Sequence, residues 1–277
     1  IDKYIFQNLA VGAQPNLNLK QVGNIKISIP NFQEQNKIQD FLNLVSKKIE
    51  LLEKKHKNIE NYSNQLLNEI MNHKYSVPNS NNKWNYIKLN KIGSSFNGLT
   101  GKTKEDFGKG DSKYITYTSI FNNYIQDLSD LDRVIVNEDE NQNPIQKGDI
   151  FFTTSSETPN EVGMSSVILE DISNCYLNSF CFGYRLHSLE DFNPLFLVYY
   201  FRSLKFRKEL YKLAQGSTRF NISKKELLKS KIKIPNIDEQ NYYVDLINNC
   251  FKIKNEVNNQ IKQISKFKKG LLQKMFV

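Results

Sequence analysis

A segment that occurs twice constrains this chain more than any other feature of its sequence. Residues 29–35 read IPNFQEQ and residues 234–240 read IPNIDEQ, an offset of 205 positions. The similarity continues without gaps to the end of the chain, so that Leu66 corresponds to Leu271. Two copies this far apart exclude a solenoid, whose units follow one another every ~20–50 residues. The sequence therefore predicts a duplicated module.

Each copy is predicted to continue as a long helix. Proline ends a short strand, the Glu-Gln pair begins the first turn, and no glycine or proline follows until residue 78 in the first copy and residue 270 in the second. Residues at alternating steps of four and three form a heptad seam in each copy. The seam positions are Val45, Ile49, Leu52, His56, Ile59, Ser63, Leu66 and Ile70 in the first copy and Cys250, Lys254, Val257, Ile261, Ile264, Lys268, Leu271 and Met275 in the second.

The two helices need partners to cover their seams. A helix of about 38 residues is about 57 Å long, and we predict that the two pair as an antiparallel coiled coil; two separately packed surface helices are the alternative. Between them, residues 78–220 contain short β-type runs separated by turn residues, and residues 194–213 have a helical pattern. The expected fold class is α+β, a globular mixed α/β domain flanked by two long helices.

The net charge of +9 is unevenly distributed along the chain. Eleven lysines and arginines lie within residues 202–233, with only Glu209 and Glu226 to balance them, whereas residues 138–191 are acidic. Such a basic stretch indicates a nucleic acid or an acidic partner. A nucleic-acid interface, if the chain has one, should include residues 202–233.

Several classes of protein are excluded. No apolar run approaches the ~18 residues of a membrane helix, and no secretory signal is visible. The three cysteines and three histidines have neither disulfide nor metal-ligand spacing, so we expect a cytoplasmic protein without a bound metal. Residues 98–103 look like the end of a phosphate loop, but Phe96 replaces its first glycine. No hydrolase or methyltransferase motif is complete either, so we expect the chain to be non-catalytic by itself.

Together these features resemble the specificity subunit of Type I restriction–modification systems. The matching elements are Trp84, the turn and strand at 148–150, and the segments 178–180, 216–223 and 234–240, in this order and with the duplication. A full family member would carry another recognition domain before the first helix, so we expect a C-terminal portion or a naturally shortened half-subunit. The resemblance implies the tail of a first recognition module at 1–33, a conserved helix at 34–75, a DNA target-recognition domain at 76–237 and a second conserved helix at 238–277.

The resemblance also implies a function. The chain would be a sequence-specific recognition subunit that reads one half of a bipartite site in double-stranded DNA. Its helices would dock modification (methyltransferase) subunits, and the restriction (endonuclease and translocase) subunit would associate indirectly. A half-subunit could form a homodimer. S-adenosylmethionine and ATP would bind only to partner subunits, so we expect no cofactor on this chain.

Base readout needs paired hydrogen-bond donors and acceptors on loops that reach a groove. Arg219 is the strongest candidate, because it follows three small residues within the basic stretch. Each candidate could equally be an ordinary solvated loop residue. The candidates for contact with DNA are Lys102, Thr103, Lys104, Ser119, Asn122, Asn123, Thr154, Ser155, Ser156, Asn160, Lys208, Arg219 and Asn221, and those expected to contact phosphates alone are Lys205, Arg207, Lys208 and Lys212.

Apolar residues outside the seams predict further partners for the helices. A two-helix rod cannot cover them all, and proteins rarely leave large apolar patches bare. The family resemblance assigns them to methyltransferase subunits; the recognition domain or a second copy of the chain is the alternative. The predicted partner-binding residues are Phe41, Leu51, Tyr62, Leu67, Phe251, Phe267 and Leu272, with Leu44, Tyr242 and Ile247 beside them.

Two other functions stay open on the sequence alone. The chain could be a coiled-coil adaptor that binds proteins without DNA specificity, its basic stretch facing an acidic partner. It could also be the specificity module of a fused restriction-methylation enzyme. Steep salt dependence of DNA binding would exclude the adaptor.

Overall fold

The computed structural model divides the chain into two compact units. One, the helical unit, takes in the described residues up to Asn61 and from Phe251 onwards; the other, the central unit, takes in those between Tyr62 and Cys250. Much of the predicted first segment, 1–33, lies outside the described residues. The structure describes residues 19–25, 29–78, 80–81, 83–129 and 131–275.

The helices include the two long ones predicted from the repeat. They begin at Phe32 and Ile237, two residues and one residue before the starts expected at 34 and 238. The predicted helical region 194–213 is interrupted at Ser203, which caps the second of two shorter helices. The helices are α1 Leu19–Gly23, α2 Phe32–Met71, α3 Leu89–Ile92, α4 Tyr117–Asn122, α5 Pro194–Arg202, α6 Leu204–Leu213, α7 Lys224–Lys229 and α8 Ile237–Met275, with a 3₁₀ turn at Lys104–Asp106.

Every strand among the described residues belongs to the central unit, and these strands include those expected near residues 114, 150, 166 and 181. Most are short, as is usual for a sheet punctuated by turns. The strands are β1 Asn85–Lys88, β2 Gly93–Asn97, β3 Phe107–Ile115, β4 Asp132–Val134, β5 Ile150–Thr153, β6 Ser155–Ser156, β7 Ser165–Val167, β8 Cys175–Leu177, β9 Cys181–Leu186, β10 Phe220–Asn221 and β11 Lys231–Ile234.

Two larger sheets and two ribbons organise the central unit. The four-stranded sheet has the order β2-β9-β5-β7 and is antiparallel throughout; the three-stranded sheet has the order β4-β3-β8, with β3 and β8 parallel. The two-stranded ribbons are β1-β11 and β6-β10. Residues from both larger sheets, such as Ile115 and Phe151, share one hydrophobic core. The predicted α+β class is confirmed.

Antiparallel pairing of the long helices is also confirmed in the helical unit. Lys254 Nζ of α8 donates to Glu60 Oε1 of α2 at 2.6 Å, and Lys268 Nζ donates to Ser46 Oγ at 2.8 Å. From the first bond to the second, the residue number on α8 rises by fourteen and the residue number on α2 falls by fourteen, as in an antiparallel pair. The predicted seam residues of α2 are buried or half-buried, and those of α8 are so as far as Leu271.

Each long helix begins with the same hydrogen bonds. In the first copy, Asn31 Oδ1 accepts from the backbone N of Glu34 at 2.9 Å, and Gln35 Nε2 donates to the carbonyl of Pro30 at 2.7 Å. The corresponding residues of 235–240 repeat these bonds at 2.9 and 3.0 Å. The side chains satisfy backbone groups that a helix terminus leaves unpaired. The duplicated motif is therefore a helix-starting device.

Candidate nucleic-acid interface

A surface cavity of about 430 Å³ in the central unit brings together candidates that are far apart in sequence. Asn122 at the end of α4, Ser155 and Ser156 of β6, and Arg219 before β10 all line it. The β6-β10 ribbon brings them close, because Ser155 pairs with Asn221 and Ser156 with Phe220. Four of the predicted DNA-contacting residues therefore share one site.

The loop that presents Arg219 depends on a glycine. Gln215 and Asn221 close the loop through two backbone hydrogen bonds of 2.9 and 2.8 Å. Gly216 has a φ of +132°, and a Cβ there would lie 2.1 Å from the carbonyl oxygen of Arg219. A larger residue would therefore force the loop open. Arg219 itself is exposed and has no ion pair among the described residues.

Three aromatic rings on the cavity were not among the predicted site residues. The rings of Tyr117 and Phe121 lie 6.1 Å apart and nearly parallel, and Phe180 is 61% exposed. Tyr117 Oη donates to the carbonyl of Ser155 at 2.7 Å, which ties α4 to β6. A large exposed ring beside polar groups is typical of a binding surface. Of the three, Phe180 stood out in the sequence as part of the matching segment 178–180, whereas Phe121 lies in no run interpreted as a strand.

Two carboxylates, Glu157 and Glu161, also line the cavity and were missed. The hydroxyls of Ser156 and Thr158 both donate to Oε2 of Glu161, at 3.2 and 2.8 Å. Arg207 donates to the carbonyls of Asn160, Val162 and Gly163, on both sides of Glu161. The side chain and the backbone of Glu161 are therefore both held in place.

The predicted residues 102–104 do not line this cavity. The Lys102 side chain is 5% exposed and forms an ion pair with Glu140, whose pKa is lowered to about 2 chiefly by the hydrogen bond from Lys102. Thr103 caps the 3₁₀ turn through its bonds to Asp106, at 2.7 and 2.9 Å. Lys104 is exposed. Local structure occupies the first two of these side chains.

The remaining polar candidates are placed separately. Asn123 Nδ2 donates to the carbonyl of Ser119 at 3.0 Å and so caps α4, while Thr154 contributes backbone bonds to Phe180 and Ile222. Asn160 is exposed, with its carbonyl committed to Arg207. Asn221 is exposed on β10, and Ser119 donates to Gln126 at 2.6 Å.

The basic stretch 202–233 is partly structural. Arg207 is not available to phosphates, contrary to the prediction, because its guanidinium donates hydrogen bonds to backbone carbonyls. Burial lowers the pKa of Arg207 to about 10. Arg202 likewise donates to four backbone carbonyls. Lys205 is half-buried against the carbonyl of Met71, and Lys212 pairs with Glu209. Of the four predicted phosphate contacts, Lys208 is left exposed without a described ion pair.

The β1-β11 ribbon carries a further basic face. Lys88 lies opposite Lys231, and Tyr86 lies opposite Lys233, whose ammonium is 5.7 Å from the centre of the Tyr86 ring. All four side chains point to one side, since alternate residues of a strand do so, and Ile232 and Ile234 point to the buried side. No ion pair to these lysines exists among the described residues. The face suits an anionic partner.

Most of the predicted partner-binding residues are exposed. This holds for Phe41, Leu51, Phe267 and Leu272 in the helical unit, and Phe267 borders a shallow cavity beside Gly270. Tyr62 is exposed in the central unit, and Phe251 is half-buried. Leu44 and Tyr242 are also exposed.

Leu67 corrects the prediction. Only 6% of it is exposed, and it lies in the part of α2 that belongs to the central unit, where Leu66, Ile70 and Met71 are buried as well. Ile247 is buried in the same unit. Neither residue offers a surface to a partner.

The residues that the structure describes include no cluster of His, Cys, Asp or Glu side chains able to hold a metal ion. Among the same residues, no helix combines the length and the apolar character needed to span a bilayer.

Comparison with known proteins gives one family. The model of the Type I restriction modification DNA specificity domain matches residues 2–61 and 81–264. The fold is similar to that of the HsdS subunit from Thermoanaerobacter tengcongensis, with a TM-score of 0.60, 17% identity, and coverage of 99% of this chain and 67% of that one. It is also similar to the S subunit of the Type I restriction-modification system from M. genitalium, with a TM-score of 0.53, 14% identity, and coverage of 99% and 69%.

A third similar structure comes from work on complex assembly and conformational transition of the type I R-M system. Its TM-score is 0.63 at 17% identity, and the match covers 95% of this chain and 64% of that one. The chain thus spans about two thirds of the length of the solved structures that it resembles.

Proposed function

This chain belongs to the family of Type I restriction modification DNA specificity domains, and on that premise we propose that it reads one half of a bipartite DNA site and docks methyltransferase subunits on its helices. The chain itself is proposed to be non-catalytic. S-adenosylmethionine and ATP would bind to partner subunits, and the restriction subunit would join indirectly.

The cavity that contains Arg219 carries the proposal for DNA reading. It combines a guanidinium without an ion pair among the described residues, the amide of Asn122, two carboxylates and three aromatic rings, of which Phe180 is exposed, on one surface. Arginine reads guanine and asparagine reads adenine through pairs of hydrogen bonds in the major groove. Such a mixture suits base edges better than phosphates, because carboxylates repel a phosphate backbone. The basic β1-β11 face and Lys208 would supply phosphate contacts.

A selection experiment tests the DNA-reading function. The full chain is mixed with a duplex library that contains a randomised segment, and the bound fraction is sequenced. We expect one short enriched sequence. We also expect the logarithm of the association constant to fall linearly with the logarithm of the salt concentration. Binding without enrichment, or no salt dependence, would favour a protein-binding adaptor. Methylome sequencing of the host with and without the gene would then show whether this sequence is part of a methylated site.

The docking function rests on the exposed apolar side chains of the helical unit. Phe267 and Leu272 on α8, with Phe41 and Leu51 on α2, are too apolar to be left in water at no cost. Helices added by another subunit would bury them in a bundle. Leu272→Glu should abolish co-purification with the methyltransferase while Lys262→Glu, an exposed change on the same helix, should not. Retained association of the Leu272→Glu variant would contradict this proposal.

A further inference from the structure

The cavity contains a carboxylate oxygen that is fixed in place and still free to accept. We propose that Glu161 determines part of the DNA specificity by accepting a hydrogen bond from an exocyclic amino group of a base, cytosine N4 or adenine N6. This inference rests on the proposed DNA-reading function and names the chemical group that the same site recognises.

The hydrogen bonds of Glu161 leave one oxygen available. Ser156 and Thr158 both donate to Oε2, at 3.2 and 2.8 Å, and a carboxylate can only accept. Oε1 has no hydrogen bond or ion pair to any side chain or backbone group that the structure describes. The two bonds on Oε2 restrain the side chain, so the acceptor Oε1 is positioned before DNA arrives.

The backbone around Glu161 is held as firmly as the side chain. Arg207 reaches from α6 to the carbonyls of Asn160, Val162 and Gly163. Its guanidinium is buried among these carbonyls, so moving the loop would leave a buried charge without its hydrogen-bond acceptors. A residue that reads a base must hold its position when DNA arrives, and this loop meets that requirement.

The charges on the cavity indicate a base edge rather than a phosphate. Glu157 and Glu161 line the cavity, so a phosphate bound there would lie beside two carboxylates. Unpaired carboxylates beside DNA cost binding energy unless they accept from a donor, and the donors that the major groove offers are cytosine N4 and adenine N6. Arg219 lines the same cavity without pairing with either carboxylate. An acceptor and a donor side by side match a G·C pair, in which guanine accepts and cytosine donates.

The test compares the DNA preference of the full chain with that of two variants. Glu161→Gln removes the charge and replaces one of the two acceptor oxygens by an amide NH2 group, which donates. Glu170→Gln makes the same chemical change at an exposed site outside the cavity. In the library selection, we expect Glu161→Gln to lose discrimination at one position by roughly 5- to 150-fold and Glu170→Gln to select as the unchanged chain does. Thermal melts and affinity for unrelated duplex check that both variants are folded.

A DNA analogue identifies the group that is read. In the selected sequence, a cytosine is replaced by 2-pyrimidinone, or an adenine by purine, which deletes only the amino group. This deletion should weaken binding by the unchanged chain and by Glu170→Gln, and should have little further effect on Glu161→Gln. Suppose that the unchanged chain selects a sequence. If Glu161→Gln selects the same sequence equally well, the inference fails and the DNA-reading function stands. The same holds if Glu161→Gln binds every DNA more tightly by one common factor. If the unchanged chain selects nothing, the DNA-reading function itself fails.

Discussion

Lys254 donates to Glu60 from a position that belongs to the hydrophobic seam of α8. The other seam lysine, Lys268, does the same to Ser46. A charged residue within a seam costs stability and favours one register, because another alignment would separate its half-buried ammonium from its acceptor. The hydrogen bond and the charge of Lys254 also lower the pKa of Glu60. These two lysines therefore align α2 with α8.

Reversing the charge of Lys254 should disturb this alignment. We expect Lys254→Glu to lower the melting temperature of the helical unit, since it places two carboxylates together, and Lys254→Glu combined with Glu60→Lys to restore most of the loss. A double-mutant cycle of thermal melts measures the coupling, expected at about 0.5–1 kcal/mol for a partly exposed pair. Independent, additive effects of the two changes would show that the pair does not set the register.

An ion pair in the central unit should contribute more to stability than the pair of Lys254 and Glu60. Arg185 donates to both oxygens of Asp149 at 2.7 Å each, and the fully buried Asp149 also accepts from the backbone N of Gln146. Asp149→Ala should reduce the free energy of unfolding by about 3 kcal/mol, because it leaves these donors unpaired. Asp171→Ala removes an exposed pair with Lys147 and should cost less than about 1 kcal/mol. Denaturant titration of both variants checks this, and equal midpoints would contradict it.

Two basic residues should affect DNA binding in different ways. If Arg219 reads a base, Arg219→Ala should weaken binding to the selected sequence by about 1–3 kcal/mol and binding to unrelated DNA much less. Lys208→Ala should weaken both about equally and reduce the salt slope by about one. Fluorescence anisotropy at several salt concentrations makes the comparison. Equal losses on both DNAs for Arg219→Ala would reduce this residue to a phosphate contact.

The basic face of the β1-β11 ribbon predicts opposite effects on stability and binding. Lys88 and Lys231 are directly opposite, and like charges in that position destabilise a ribbon by ~0.2–1 kcal/mol. Lys231→Glu should therefore raise the melting temperature slightly while it lowers affinity for DNA at low salt. Lys109→Glu, an exposed change on β3, controls for net charge. A stabilised variant with unchanged DNA affinity would assign the face to an acidic protein instead.

His73 should make stability depend on pH. It follows α2 with a φ of +60°, and burial, with a smaller effect of Lys205, lowers its pKa to about 4. As pH falls from 6.5 to 4, the unfolded chain takes up the proton before the folded one does, so stability is lost over this interval. His73→Asn keeps a residue that tolerates this backbone conformation and removes the titration. The difference in melting temperature between the two proteins should change between pH 6.5 and 4; parallel profiles would exclude the effect.

The helix pair was predictable because its information is local. A heptad spacing and a repeated helix-starting motif are properties of neighbouring residues, and the burial of positions such as Leu52 and Val257 follows from them. The same local pattern misplaced Leu67, whose burial depends on the fold of the central unit rather than on the helix.

The cavity was predictable only in part. Ser155, Ser156 and Arg219 were candidates for their residue types, but the ribbon that joins them has two residues on each side and no recognisable period. Glu161 was missed because an acidic residue in an acidic stretch carries no signal; the role proposed for it depends on Ser156, Thr158 and Arg207. Arg207 itself was misassigned, since a buried arginine with carbonyl partners has the same sequence signature as an exposed one.

The helix-starting bonds bear on the order of folding. The bond from Gln35 to Pro30 closes over five residues, and so does its counterpart from Gln240 to Pro235, whereas Lys268 and Ser46 are 222 residues apart. Short closures cost little chain entropy and form within microseconds, while distant contacts wait for the chain between them to become compact. Both long helices can therefore begin to form on their own during synthesis, and α8 can align with α2 only after the residues of α8 that contact it, such as Lys268, have been made. The slowest step of refolding should be this late docking, and changes in the seam should alter its rate more than changes in either helix start.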